Sequence, residues 1–330
     1  MPSTPSSLTD KVRTFALDGA TAAAAFLRGT CVFISETGTA LFPDADRTVA
    51  LHDGVVLCAA GDGQRLVTGG DDGKVMEMLA SGEAKTIATQ NGRWIDRIAL
   101  GPDGAVAYSA GKTAFLVPAK GEVRSFAAPS TVGGLAFAPK GLRVAVAHYG
   151  GVSLWYPNAV DVKPEVLEWK GSHLGVTYSP DGRFIITTMQ EPSLHGWRLS
   201  DGAHMRMTGY PARVKSFEFT HDGKWLASSG STEVVLWPFA TKDGPIGKQP
   251  SMQAPSTSGG RVTVVACHPK DPVMACGYDD GMVLMVRLTD GAEILLRAPD
   301  AAAVSTIAWR KDGGAVAFGT LGGSAGLLEF

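Results

Sequence analysis

The stretch Phe217-Glu-Phe-Thr220-His-Asp-Gly223-Lys-Trp225-Leu-Ala-Ser-Ser229, followed by Val234-Val-Leu-Trp237, decides how this chain is read. The pair Phe217/Phe219 alternates with a polar residue, the period of a half-buried strand. Thr-His-Asp-Gly is turn chemistry, because Asp bonds its own backbone and Gly accepts positive φ. Trp225–Ser229 then reads as a second strand and Val234–Trp237 as a third.

The same unit recurs along the chain. Turns stand at Gly101-Pro-Asp-Gly104, Ala138-Pro-Lys-Gly141, Ser179-Pro-Asp-Gly182, His268-Pro-Lys-Asp271 and Arg310-Lys-Asp-Gly313, with weaker forms at Arg28-Gly29 and Gly61-Asp-Gly63. Their ends are 34, 41, 37, 41, 41, 48 and 42 residues apart. That step is the length of a four-stranded propeller blade. Ile98/Leu100, Leu135/Phe137, Val176/Tyr178 and Ile307/Trp309 precede their turns in the same way. Third strands read at Val152–Trp155, Leu194–Trp197 and Val283–Val286, and more polar fourth strands at Glu122–Phe126, Met205–Met207 and Glu293–Arg297.

Composition agrees with many short strands. The chain has 330 residues, 45% of them apolar and 19% charged, with 41 glycines and a formal charge of −2. Glycine exceeds the average of roughly 7%, and repeated hairpin turns account for the surplus. The charge and the lack of a basic stripe interleaved with aromatics exclude nucleic acid as the expected partner. The opening residues Met1–Asp10 lack a basic and apolar leader, and no apolar run approaches bilayer length, so no membrane partner is expected and the reading is cytoplasmic. Cys31, Cys58, Cys267 and Cys276 show no paired spacing and read as buried, reduced thiols.

The Ser-Pro-Asp-Gly turns and the tryptophans that end third strands (Trp155, Trp197, Trp237) make the chain resemble the WD-repeat β-propellers over residues 11–330. It is a divergent resemblance. Tyr156, Arg198 and Pro238 stand where the family's Asp would follow Trp, and the Gly-His dipeptide is missing. The family's buried Asp–His–Ser/Thr–Trp network is therefore not carried over. The fold expected is an all-β propeller of eight four-stranded blades, with seven as the alternative if the repeat around Ala22–Asp53 is irregular. The last repeat holds three strands, Val304–Trp309, Ala315–Gly319 and Ala325–Phe330. The segment Lys11–Leu17 reads as the missing fourth, closing the ring and removing its open edges. Residues 1–10 read as a flexible terminus and 11–330 as one domain. Pro157–Lys170 and Ala240–Gly260 read as long connections between third and fourth strands, the second a mobile surface loop.

Motifs with chemical meaning are weak. Gly322-Gly-Ser-Ala-Gly326 matches a nucleophile elbow, but no helix follows it. Gly111-Lys-Thr113 lacks the upstream glycine and the helix of a phosphate loop. Asp71-Asp-Gly73 and Asp279-Asp-Gly281 read as hairpin corners. Seven histidines show no ligand spacing, so neither a metal nor another cofactor is expected.

The loops leading into first strands and those joining second to third strands line one mouth of a propeller. There the sequence places Arg93, Trp94, His148, Tyr149, His173, Gln190, Glu191, Tyr210, Arg213, Arg261 and Tyr278 as candidate binding residues. Arg and aromatic side chains dominate interaction hot spots. The WD-repeat resemblance implies a non-enzymatic scaffold with a protein or peptide partner. The alternative is a metal- or small-molecule-binding accessory protein, or a hydrolase using the channel, with Asp18, His52, Asp53 and Asp300 as its acids and base.

Overall fold

In a computed structural model, which describes residues 6–159, 162–255, 258–300 and 302–330, the chain is an all-β propeller. It gathers into two compact units, residues 1–49 with 210–330, and residues 50–209. The strands form seven sheets, the number held as the alternative to eight. The first repeat is not the reason. It is a regular four-stranded sheet, Thr21–Leu27, Thr30–Ser35, Thr39–Phe42 and Arg47–Ala50. Repeats four and five are instead joined into one six-stranded sheet by a continuous strand, Glu165–Tyr178. Its first half pairs with the strand Val144–Trp155 (Leu167 opposite Val152), and its second half with Phe184–Met189 (Val176 opposite Thr187). Pro157–Lys170, read as a connection, thus contains the start of that strand. Ala240–Gly260 likewise contains the fourth strand of repeat six, Ser251–Gln253. Residues 160–161 and 256–257 of these stretches lie outside the described residues.

The turns form for a visible reason. At Ser179–Gly182 the Asp181 carboxylate accepts from the Ser179 hydroxyl at 2.7 Å and from the Arg183 N–H at 3.0 Å, while the Phe184 N–H donates to Ser179 Oγ at 2.9 Å. Gly182 sits at φ +74°, where an L side chain is strained. Repeat six uses the same bonds, Thr220 to Asp222 at 2.7 Å and the Lys224 N–H to Asp222 at 3.1 Å. These bonds hold the Asp222 carboxyl down to about 2 against the upward pull of burial.

In the unit of 1–49 and 210–330, the strand Arg13–Ala16 pairs antiparallel with Ser324–Glu329, completing the last repeat as expected. Phe15 and Leu17 pack with Phe33, Ala325 and Leu327, so the segment also seals repeat eight to repeat one. Residues 6–10 were expected to be flexible. Ser6–Ser7 instead forms a short parallel strand on Glu293–Arg297 of repeat seven, and Leu8 and Val12 pack beside Leu296 and Leu328. Residues 1–5 lie outside the described residues. The other unit packs its repeats in the same way, with Val67, Val106 and Tyr108 in one cluster and Ala107, Leu116 and Val146 in another. All four cysteines are unpaired. Burial pushes the Cys31 and Cys276 thiols up to about 12, where they behave as apolar groups. Among the described residues, no helix is long and apolar enough to cross a membrane.

Candidate functional site

The eleven residues selected from sequence divide into an exposed set and a buried set. Arg93, Gln190, Glu191, Arg213 and Arg261 are exposed, as are Trp94 (68%) and Tyr149 (57%). Arg261 places Nε 3.4 Å from Asp279 of its own repeat. His148, His173, Tyr210 and Tyr278 are buried and serve the framework. His148 Nδ1 donates to the Tyr149 carbonyl at 2.8 Å, and its Nε2 accepts from Ser153 at 2.9 Å. His173 Nε2 donates to the Trp169 carbonyl at 3.0 Å, leaving Nδ1 to accept from Thr187 at 2.8 Å. Burial holds His173 below the usual histidine range. Tyr210 shares a hydrogen bond with Ser228 at 2.7 Å and accepts one from Trp237 Nε1 at 2.7 Å. The Tyr278 hydroxyl donates to the Ala254 carbonyl.

These contacts are buried hydrogen bonds built from His, Tyr, Ser, Thr and Trp, a network that was not carried over from the WD-repeat resemblance. His52 adds another: Nδ1 donates to Asp72 at 3.0 Å and Nε2 accepts from Thr68 at 2.8 Å. In three repeats, then, a His or Tyr ahead of the inner strand bonds a Ser or Thr on the second strand.

The residues considered for hydrolysis are each engaged locally. Asp18 accepts from Thr39 at 3.0 Å, Asp53 meets Lys74 at 2.6 Å, and Asp300 accepts from Arg297 at 2.8 Å. Among the described residues, no group of three or more His, Cys, Asp or Glu side chains could hold a metal ion.

Three exposed candidates are brought together. Tyr149, Gln190 and Glu191 line a cavity of about 440 Å³ in the unit of residues 50–209. Trp169, Lys170, Gly171, Ser172, Met189, Ser193 and Arg206 complete its wall. The continuous strand builds this site. It bends at Gly171, whose φ is +126° and whose missing Cβ would lie 2.8 Å from Met189 Cε and 3.5 Å from the Glu191 carboxylate. Trp169 is half-buried and stacked on His195 with centroids 4.0 Å apart. Ser193 is only 2% exposed, and its hydroxyl has no hydrogen-bond partner among the described residues. A buried hydroxyl without a partner costs about 1–3 kcal/mol. The lining therefore offers two aromatic walls, two cations and one carboxylate.

Sequence reading missed Trp169, Lys170, Ser193 and Arg206. The alternation of Leu167 and Trp169 in Glu165-Val-Leu-Glu-Trp169 was the available signal, hidden inside what read as a long connection.

Behind the cavity, His195 is fully buried, and neither ring nitrogen has a hydrogen-bond partner among the described residues. Burial, reinforced by His173, His204 and Arg206, depresses its pKa from 6.5 to about 3. The unfolded chain takes up this proton near pH 6.5 and the folded chain does not. Stability from this group is complete above pH 7 and is lost as pH falls toward 3. Between pH 7 and 5 that loss is on the order of 1–2 kcal/mol. The variant His195→Leu should show a shallower fall of melting temperature between pH 7 and 5, and no loss of stability at pH 7. Thermal unfolding at the two pH values checks this, and an unchanged pH dependence would refute it.

No family model matches the chain, and no curated protein matches it. Among solved structures, the chain is similar to the crystal structure of the computationally designed Ika8 protein. The TM-score is 0.71 with 16% sequence identity, over 96% of this chain and 98% of the designed one. At that identity the likeness concerns the fold alone.

Proposed function

We propose that the protein is a non-enzymatic scaffold of divergent WD-repeat type that binds a protein or peptide through the Tyr149–Arg206 cavity. The observation that carries this reading is the cavity lining itself. Tyr149, Trp169 and Arg206 are the residue types that anchor interfaces, and they line one cavity together. A pocket of this size takes a side chain or short segment rather than a flat surface. The WD-repeat assignment draws support from the third strands ending in tryptophan and from the Tyr210–Ser228–Trp237 and His173–Thr187 hydrogen bonds.

The test is affinity purification from the native source followed by mass spectrometry, using the unaltered chain and Tyr149→Ala with Arg206→Ala. The double variant should reduce the recovered partner at least tenfold. Its melting temperature should stay within about 0.5 kcal/mol equivalent, because both side chains are exposed. Full retention of the partner by a folded double variant would move the site elsewhere, with Trp94→Ala the next variant to compare.

A further inference from the structure

A second cavity, of about 310 Å³, opens in the unit of 1–49 and 210–330, where the inner strands of three consecutive repeats run into their turns. Glu218, Phe219 and His221 come from repeat six, Ala266–Pro269 from repeat seven, and Ile307, Ala308 and Trp309 from repeat eight. Among the described residues, Glu218 is the one carboxylate in this wall, and no Lys or Arg lines it.

We infer that this cavity is a binding site for an organic monocation, a guanidinium or primary ammonium group on an aliphatic stem, with the Glu218 carboxylate as its counter-ion.

The argument begins with what Glu218 lacks. One carboxylate oxygen, Oε2, accepts the Cys267 N–H at 2.9 Å. No described residue offers a hydrogen bond to the other oxygen. Two cations beside the turns of repeats six and eight pair with other carboxylates: Lys224 with Asp222 at 3.0 Å, and Arg310 with Asp312 at 2.8 Å and Glu329 at 2.9 Å. Glu218 is exposed at the open mouth of the cavity, and protein crowds its carboxyl end. That burial raises its pKa to about 7, opposed only by the Cys267 N–H. A carboxylate held without a counter-ion in such a place gains most from a cation that brings its own charge.

The other walls suit an organic cation on a stem. Phe219, Ile307 and Trp309 supply apolar and aromatic surface, and aromatic faces attract cations. Trp309 is fixed by its Nε1 bond to the Ala266 carbonyl at 3.0 Å and by edge contact with His268, centroids 4.7 Å apart. His268 is held by backbone groups at both ring nitrogens. Its Nδ1 accepts from the Lys270 and Asp271 N–H groups at 3.2 and 2.8 Å, while Nε2 donates to the Gly313 carbonyl at 3.2 Å. The remaining titratable residues of the lining are exposed His221 and Cys267, whose thiol is pushed well up by burial and by the charges of Glu218 and Asp222. The cavity volume fits one such side chain and little more.

The probe is N-acetyl-arginine amide, titrated into the full chain while the Trp309 indole N–H is followed by NMR. Saturable binding is expected, with the neutral isostere N-acetyl-citrulline amide at least tenfold weaker. Glu218→Gln should weaken arginine-amide binding by about tenfold or more, the equivalent of roughly 1.4 kcal/mol. A short peptide with one central Arg distinguishes the sources of the cation. Tighter binding than the free amide assigns a peptide side chain, and equal binding assigns a small free cation. Equal affinity for arginine and citrulline amides, unchanged affinity in Glu218→Gln, or no saturable shift at millimolar concentration would each overturn the inference. The arginine–citrulline comparison uses the unaltered chain and so holds even if the variant fails to fold.

Discussion

Deletion of residues 1–17 is expected to cost more than about 4 kcal/mol and to leave a chain that melts early and self-associates. The deleted segment acts twice. Ser6–Ser7 extends repeat seven, and Arg13–Ala16 supplies the fourth strand of repeat eight. Four apolar side chains leave with it: Leu8 and Val12 from the Leu296–Leu328 cluster, and Phe15 and Leu17 from the Phe33–Leu327 cluster. Each is half-buried, so each contributes roughly 1 kcal/mol. The larger consequence is exposure of the Ser324–Glu329 edge, whose unpaired backbone groups then invite pairing with another chain. Thermal unfolding and size-exclusion chromatography measure both effects. A synthetic peptide of residues 1–19 added in trans should restore the melting temperature in part. A truncated chain that melts like the intact one would show the closing strand to be dispensable.

That strand was legible in sequence because the repeat imposes a strict inventory of four strands. A last repeat with three and an orphan alternating segment at the other end have one economical solution. The turns were legible for a chemical reason, since Asp181 and Asp222 make the same local bonds wherever the motif recurs. The fusion of repeats four and five was not legible. Strand identity in Glu165–Tyr178 depends on pairing with two different neighbours, one before and one after, and no local pattern marks a strand that changes partner midway.

The candidate site shows where residue type misleads. His148, His173, Tyr210 and Tyr278 occupy positions next to loops, and their chemistry fits either a binding face or a buried hydrogen bond. What decides is the residue across the sheet: Ser153, Thr187 and Ser228 present hydroxyls to the first three, drawing them inward. Glu218 misleads in the opposite direction. Between Phe217 and Phe219 it reads as the polar, outward member of an alternating strand. It is the member that faces a cavity, because on an inner strand the polar side of the alternation still has protein around it.

The glycines carry the last lesson, and it gives a large expected effect. Hairpin turns explain only part of their number. Gly133 precedes the inner strand Gly134–Phe137 and serves close approach between repeats four and five: a Cβ there would stand 1.9 Å from the His173 carbonyl oxygen. At Gly134 a Cβ would lie 2.9 Å from Gly175 Cα. The obstruction is backbone, which cannot rotate aside. Gly133 is also pinned by its own bonds, its N–H to the Ala147 carbonyl at 2.8 Å and its carbonyl to Arg97 Nε at 2.6 Å. Gly133→Ala must therefore separate the two repeats, and a loss above about 3 kcal/mol is expected, lowering the melting temperature by about 5 °C or more. Gly92→Ala provides the contrast. Gly92 has φ +69° and nothing within 4 Å of a would-be Cβ, so only the left-handed backbone penalises alanine, by about 1 kcal/mol. If thermal melts show the two substitutions to cost the same, turn geometry alone would account for these glycines. A markedly larger loss at Gly133 would establish that the repeats are held apart by less than one methyl group.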